Sequence, residues 1–286
     1  MTVKLKSDEI NNKRTEITMF FWNIGKKDLT DSLNTLLNES PMDILIFSEA
    51  NISIRESLNK TLLPLGYKSR TPLKGAVRVS IFDRLPNVIY CRVDQYQTFI
   101  IYELLGMKVL VVGIHLLSPI SAPIDDRYVD ATKQNENIER IEAEWGIDKT
   151  IVIGDFNMNP FDKGMVSEKA FKATHCKQTV LSNRTKKPYY FNPSWRAFSN
   201  DLTLEGNNAP PGTIHFIPRN KDSDVNFWHI FDQVLIRSKL FSELSDRYQI
   251  LFKWNKHFLL TDNLIPNRLS YSDHLPIKYT INLQAE

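Results

Sequence analysis

The chain has 286 residues, 42% of them hydrophobic and 24% charged. This balance excludes a disordered chain, and the 10 glycines and 14 prolines are too few for a collagen-like or low-complexity one. The net charge is only +3, so a polyanionic partner must be met by a local patch.

Residues 1–16 form a polar lead with seven charged residues before the first apolar run, at Ile17. It has no apolar signal-peptide core. The longest near-apolar run, Val109 to Leu117, is far short of the ~20 residues of a membrane helix. These features predict a cytoplasmic protein without membrane insertion. Cys91 and Cys176 stand alone and far apart, as expected for buried, inert thiols in a reducing compartment.

Ile17–Asn23 reads as a strand buried on both faces, and Leu29, Leu33, Leu36 and Leu37 mark a helix over Asp28–Asn38. Asp43–Ser48 is a second buried strand. Ser53–Leu63 is a second helix, with Ser53 as N-cap and Glu56 at capping-box spacing. Strand, helix, strand predicts a crossover between parallel strands. Val77–Phe82, Val88–Val93, Phe99–Leu104 and Lys108–Ile114 are short β runs, with Leu105-Gly106 at a hairpin. Arg127–Glu144 is a polar helix expected to be exposed, and Thr150–Gly154 is a strand. Residues 172–228 read as long loops with short strands. Phe231–Ile236 and Ile277–Asn282 close the chain as strands. No linker or repeat divides it, so residues 1–286 are expected to form a single domain with a two-layer β core and flanking helices.

The strand ends carry the chemistry. Asn23 ends the first strand and Glu49 the second; His115 follows VLVVGI; Asp155 and Asn157 follow TIVIG. Asp232 opens DQVLI, and Asp273-His274 precedes LPIKYTI. Each has a plain structural reading by itself. Asn23, Asp155 and Asn157 suit turns, and His115 suits a hydrogen-bonded core histidine. If the ends converge, however, so many carboxylates demand a cation. Oxygen donors without cysteine favour Mg²⁺ or Mn²⁺ over zinc.

The segments Trp22-Asn23, FSEA (Phe47–Ala50), GIHLLS (Gly113–Ser118), IVIGDFNMNP (Ile151–Pro160), FDQVLI (Phe231–Ile236) and YSDHLPI (Tyr271–Ile277) follow one order. In that order they resemble the endonuclease/exonuclease/phosphatase superfamily, over roughly Phe20 to Tyr279. The resemblance implies a DNase I-like α/β fold: a four-layer sandwich of two packed mixed β-sheets flanked by helices. It implies that Glu49 is the principal Mg²⁺ ligand (with Mn²⁺ as a substitute), that Asn23 helps hold the metal's ligands, and that Asp273 lies beside the metal. Asp155 matches the residue that orients or deprotonates the attacking water, and Asn157 a donor to the phosphoryl oxygen. His115 matches a contact to the scissile phosphate. His274 matches the catalytic imidazole, and Asp232 the acid that orients it. Gly25 stands where several nuclease members carry Asp, which favours a single ion.

The implied activity is Mg²⁺-dependent phosphodiester hydrolysis, with nucleic acid as the expected substrate. The segment RTKKPYYFNPSWR places four basic and four aromatic residues within thirteen positions. Its Arg184, Lys186, Lys187, Tyr190, Trp195 and Arg196 suit a groove that contacts phosphates and stacks bases. The other reading is a core-anchored loop with solvated charges. Lys253-Trp254-Asn255-Lys256-His257 is a weaker cluster, and Lys68, Arg70, Lys74 and Arg78 read as a solvated face. No amphipathic membrane helix or exposed apolar hairpin stands out in the sequence. A phosphatase or phosphodiesterase for a small phosphorylated molecule or lipid headgroup is the alternative, followed by a non-catalytic binding module.

Overall fold

The computed structural model describes residues 16–182, 188–200, 209–217, 225–241, 247–254 and 256–283. The elements in chain order begin with β1 (Glu16–Asn23), α1 (Thr30–Glu39), β2 (Ile44–Ser48), α2 (Ile52–Leu62), β3 (Lys68–Ser69) and β4 (Val79–Asp83). Next come β5 (Val88–Val93), β6 (Gln97–Leu104), β7 (Met107–His115), α3 (Ile124–Trp145), β8 (Thr150–Asp155) and α4 (Lys163–Val166). Then follow β9 (Ala173–Thr174), α5 (Lys177–Ser182), β10 (Tyr190–Phe191), β11 (Ile214–His215) and β12 (Trp228–His229). The last are β13 (Asp232–Arg237), β14 (Arg247–Ile250), β15 (Lys253–Trp254), β16 (His257–Phe258) and β17 (Ile277–Asn282).

Two mixed sheets form the centre. One runs β14-β17-β1-β2-β4-β3 and the other β5-β6-β7-β8-β13-β10-β9. Side chains of β6, β7 and β8 alternate between two cores, as the two-residue period of a strand requires. Ile100, Tyr102, Val109, Val111, Ile151 and Ile153 join the first sheet in the central core. Phe99, Ile101, Leu110, Val112 and Val152 face outward and pack with Ala131, Ile138 and Ile141 of α3. On the other side, α1 contributes Leu33, Leu36 and Leu37 to the central core's cluster, and α2 contributes Ile54, Leu58 and Leu62. This is the four-layer α/β sandwich. Gly113 sits where the sheets approach closely: a Cβ there would lie 2.7 Å from Val79 Cγ1.

β1 and β2 pair in parallel, as the strand–helix–strand pattern predicts, and β7 and β8 do the same. The Leu105-Gly106 hairpin joins β6 to β7, both residues holding positive φ. Three local expectations need correction. The N-cap of α2 is Asn51, whose side chain accepts from Ile54 N, while Ser53 Oγ donates to that same Asn51 oxygen. An Asn cap of this kind contributes ~1 kcal/mol. Helix α3 is not wholly exposed, because Asp130, Gln134, Asn135 and Glu142 are buried beside its apolar stripe. Cys91 is exposed on an outer strand and Cys176 is half-buried; both are free.

Among the described residues, no helix is long and apolar enough to cross a membrane. The β11–β12 ribbon, however, carries exposed apolar side chains at and beyond its ends: Phe216, Ile217, Val225 and Phe227. The sequence hides this because the four lie on two segments that meet only through the ribbon's pairing.

Candidate active site

The strand registers bring the polar ends to one edge of the sandwich. Asn23 pairs with Ser48, so Glu49 follows directly beside it. In the second sheet His115, Asp155 and Asp232 stand side by side on three neighbouring strands. Asp273 and His274 arrive just before β17, which pairs with β1.

Asn23 bridges the two sheets. Its Nδ2 donates to Asp155 Oδ2 at 3.0 Å and to Glu49 Oε1 at 3.5 Å. Its Oδ1 accepts from Gly25 N at 3.1 Å, so the amide braces the carboxylates through its NH₂ group. His115 Nε2 lies 3.7 Å from Asp155 Oδ2 and 3.9 Å from Glu49 Oε1. The buried Nδ1 of His115 has no hydrogen-bond partner among the described residues. Asp155 is buried and accepts from Asn157 N through Oδ1 at 2.8 Å. Asn157 takes a left-handed φ of 52°, which Asn tolerates, and its Nδ2 donates to Leu116 O at 3.0 Å. Glu49 also has a left-handed φ, 57°, uncommon for a residue with a long side chain. Such local cost persists where the surrounding structure imposes it, as it does at functional sites.

His274 is held from several directions. Its Nδ1 pairs with Asp232 Oδ2 at 2.9 Å, and its Nε2 lies 3.9 Å from Asp155 Oδ2. Burial lowers the imidazole's basicity, but the charges of Asp232, Asp155 and Asp273 overcome it and push the pKa up to about 10. Four residues without an assigned role in the sequence reading fix this part of the site. Ser272 Oγ donates to Asn23 O and accepts from His274 N, tying β1 to the loop before β17. Trp22 Nε1 donates to His274 O, and Thr213 Oγ1 accepts from Asp232 N. Arg127 Nη1 donates to Asn157 O at 2.7 Å, supporting the loop after β8. Ser272 lies within the YSDH segment and Trp22 next to Asn23, so sequence proximity was their only signal.

The donor set fits a hard divalent cation. Among the described residues, no Lys or Arg pairs with Glu49, Asp155, Asp232 or Asp273; the charge-bearing partners they meet are two imidazoles. Asp155, Asp232 and His274 offer ligand atoms all within 4.8 Å of one another, although His274 Nδ1 already engages Asp232. Glu49 is partly exposed and Asp273 exposed, at the open side of the cluster. Gly25 turns the chain with φ 55°, and a Cβ there would lie 3.5 Å from Asp273 Oδ1. A carboxylate at that position would face another one.

No protein-family model matches the sequence, and no curated protein does. Solved structures do match. An endonuclease/exonuclease/phosphatase family protein of Bacteroides thetaiotaomicron shares 14% identity with a TM-score of 0.61, over 96% of this chain and 100% of that one. The chain has the endonuclease/exonuclease/phosphatase, DNase I-like fold. The same DNase I-like fold is seen in a mannosyl-6-phosphatase of that organism, at 14% identity and TM-score 0.58, over 92% of this chain and 98% of that one. It is seen again in TDP2 of D. rerio complexed with a single-strand DNA product, at 14% and 0.55, over 93% and 99%.

On this DNase I-like frame the expected substrate segment divides. Arg184, Lys186 and Lys187 lie outside the described residues. Tyr190 is fully buried, and its ring lies 3.6 Å beneath the guanidinium carbon of Arg237. It therefore stacks on an internal cation and has no face to offer a base. Trp195 is half-buried among His175, Phe161 and Phe198, and Arg196 is exposed. Trp254 of the weaker cluster is a core residue packed edge-on against Trp22.

Proposed function

We propose that this protein is a divalent-metal-dependent phosphoester hydrolase, and specifically a nuclease that cuts DNA or RNA by attack of water on a backbone phosphodiester. The observation that carries the reading is the His274 imidazole, clamped by Asp232 on one side and facing Asp155 on the other. Alongside it stands the Asn23–Glu49–His115 group.

Glu49 and Asp273 would hold Mg²⁺, or Mn²⁺ in its place, with Asn23 bracing Glu49. When bound, the ion neutralises a non-bridging phosphate oxygen and stabilises charge on the leaving oxygen. Asp155, oriented by Asn157 N and Asn23 Nδ2, takes the proton of the attacking water. A positioned base of this kind is typically worth ~10²–10⁴ in rate. His274, held against Asp232 at Nδ1 with its pKa raised to about 10, serves as an imidazolium that stabilises the phosphoryl oxygens. Asn157 and His115 add hydrogen bonds to the same phosphate, and the bond to the leaving oxygen breaks as the water oxygen bonds to phosphorus. The basic, aromatic segment from Arg184 to Arg196 supports nucleic acid as the substrate, with Tyr189 and Trp195 its half-buried aromatic residues.

A plasmid-nicking and oligonucleotide-cleavage assay tests this reading. Cleavage should require Mg²⁺, stop with EDTA, and be lost in Asp155→Asn with the fold intact by circular dichroism. Hydrolysis of sugar phosphates with no cleavage of DNA or RNA would replace the nuclease reading with one of a small-phosphoester hydrolase. Activity retained in Asp155→Asn would assign the water to another group.

A further inference from the structure

Arg78 is half-buried, and its guanidinium carbon sits 4.4 Å from the centre of the Tyr96 ring. Among the described residues it has no hydrogen-bond or ion-pair partner. The other buried or half-buried arginines among the described residues each hold an oxygen: Arg55 on backbone carbonyls, Arg70 on Asp83, Arg84 on Asp43, Arg92 on Asp94, Arg127 on Asn157 O, Arg237 on Glu142. The cation–π contact leaves the guanidinium's N–H donors open to an oxygen ligand.

The position of this pair is fixed by the sheets. Ser48 pairs with Val79, so Arg78 and Glu49 are the next residues beyond that rung of an antiparallel ladder. Tyr96 O accepts from His115 N at 2.9 Å, and His115 Nε2 lies 3.9 Å from Glu49 Oε1. The pair therefore adjoins two residues of the candidate site from both sheets. In the first sheet the strands run β17, β1, β2, β4, so the strand after His274 and the strand after Arg78 are three steps apart. At ~4.8 Å per step that is about 14 Å, more than one phosphate can bridge. Tyr96 also lines a cleft of about 760 Å³ that Arg78 does not line, with Asp94, Asp126 and Asp130 outnumbering Lys133. Its acidity disfavours an anion there and leaves the Arg78 side for one.

We propose that Arg78, seated on Tyr96, binds the phosphate next to the scissile one in a nucleic-acid strand. The planar guanidinium matches two phosphate oxygens, and the ring beneath it limits the orientations it must give up on binding. This rests on the phosphoester-hydrolase reading of the site and names the neighbouring subsite.

The test is equilibrium binding by calorimetry, in Mg²⁺, of thymidine 3′,5′-bisphosphate against thymidine 5′-monophosphate. The wild-type protein should prefer the bisphosphate. Arg78→Ala should weaken the bisphosphate about tenfold while moving the monophosphate less than about twofold, a difference between the probes of at least about fivefold, or ~1 kcal/mol. Arg78→Lys should recover part of the preference, and Tyr96→Leu should lose part of it. A wild-type protein without the preference, or variants that weaken both probes equally, overturns the proposal. Oligonucleotide cleavage is scored separately: an Arg78-dependent preference in a protein that cuts no nucleic acid keeps the subsite and sinks the nuclease reading.

Discussion

His274 Nδ1 lies 2.9 Å from Oδ2 of Asp232, and the ring's other nitrogen faces Asp155 Oδ2 at 3.9 Å. One imidazole thus links the loop before β17 to the carboxylates of two paired strands, β8 and β13. Burial opposes its protonation, while Asp232, Asp155 and Asp273 raise its pKa from 6.5 to about 10. A folded pKa above the unfolded one stabilises the protein fully below the unfolded value. That stability is lost as pH rises from about 6.5 through about 10. Asp232→Asn removes the largest raising charge. In EDTA, the His274 resonance should then titrate at lower pH by NMR. The alkaline fall in Tm that this group causes should shrink. A titration identical to wild type would remove Asp232 as the charge that holds the imidazolium.

Glu49 shares the Asn23 amide with Asp155 and sits at the open side of the cluster. Glu49→Gln keeps the shape and removes one charge from the donor set. Calorimetric Mg²⁺ affinity should fall at least about tenfold, the scale of ~1.4 kcal/mol, and phosphoester hydrolysis should fall with it. Thermal stability without metal should hold or rise, because fewer carboxylates then repel one another. An unchanged Mg²⁺ titration would take Glu49 out of the ligand set.

Much of this arrangement is written in the sequence, for identifiable reasons. The apolar strands of the two central layers are nearly continuous hydrophobic runs, and each ends on the polar residue it delivers, as Trp22-Asn23 and IVIGD do. Strand ends therefore mark the site without any knowledge of the pairing. The substrate side was less legible because it depends on which face a residue shows. Tyr190 and Arg196 are six residues apart in one basic, aromatic stretch, yet one is packed under Arg237 and the other is exposed. Arg78 reads as one of several solvated charges until the β2–β4 register sets it beside Glu49. Ser53 offers the better-known capping spacing, but the cap of α2 lies two residues earlier, at Asn51.

Arg237 and Glu142 form a buried, two-pronged pair, with Nε to Oε1 and Nη2 to Oε2 both at 2.9 Å. The pair fastens α3 to β13, the strand that carries Asp232 at its other end. Tyr190 lies under the same guanidinium, and Pro188 O accepts from its Nη1. Arg237→Ala leaves Glu142 buried without its cation and should destabilise the fold by ~3–5 kcal/mol in urea unfolding. Arg237→Met with Glu142→Leu should lose less, because neither charge is then stranded. A single variant as stable as wild type would mean that solvent reaches Glu142 when the arginine is removed.

The two lysines of the RTKKPYYFNPSWR segment give the clearest measure of contact with a polyanion. If Lys186 and Lys187 each neutralise a phosphate, binding releases counterions in proportion, and log affinity falls linearly with log salt. Changing both to Ala should therefore raise KM for an oligonucleotide and reduce the salt slope by about two units, one per lost contact. Hydrolysis of bis-p-nitrophenyl phosphate, which lacks flanking phosphates, should change little. A KM and salt slope that match wild type would place the segment away from the strand.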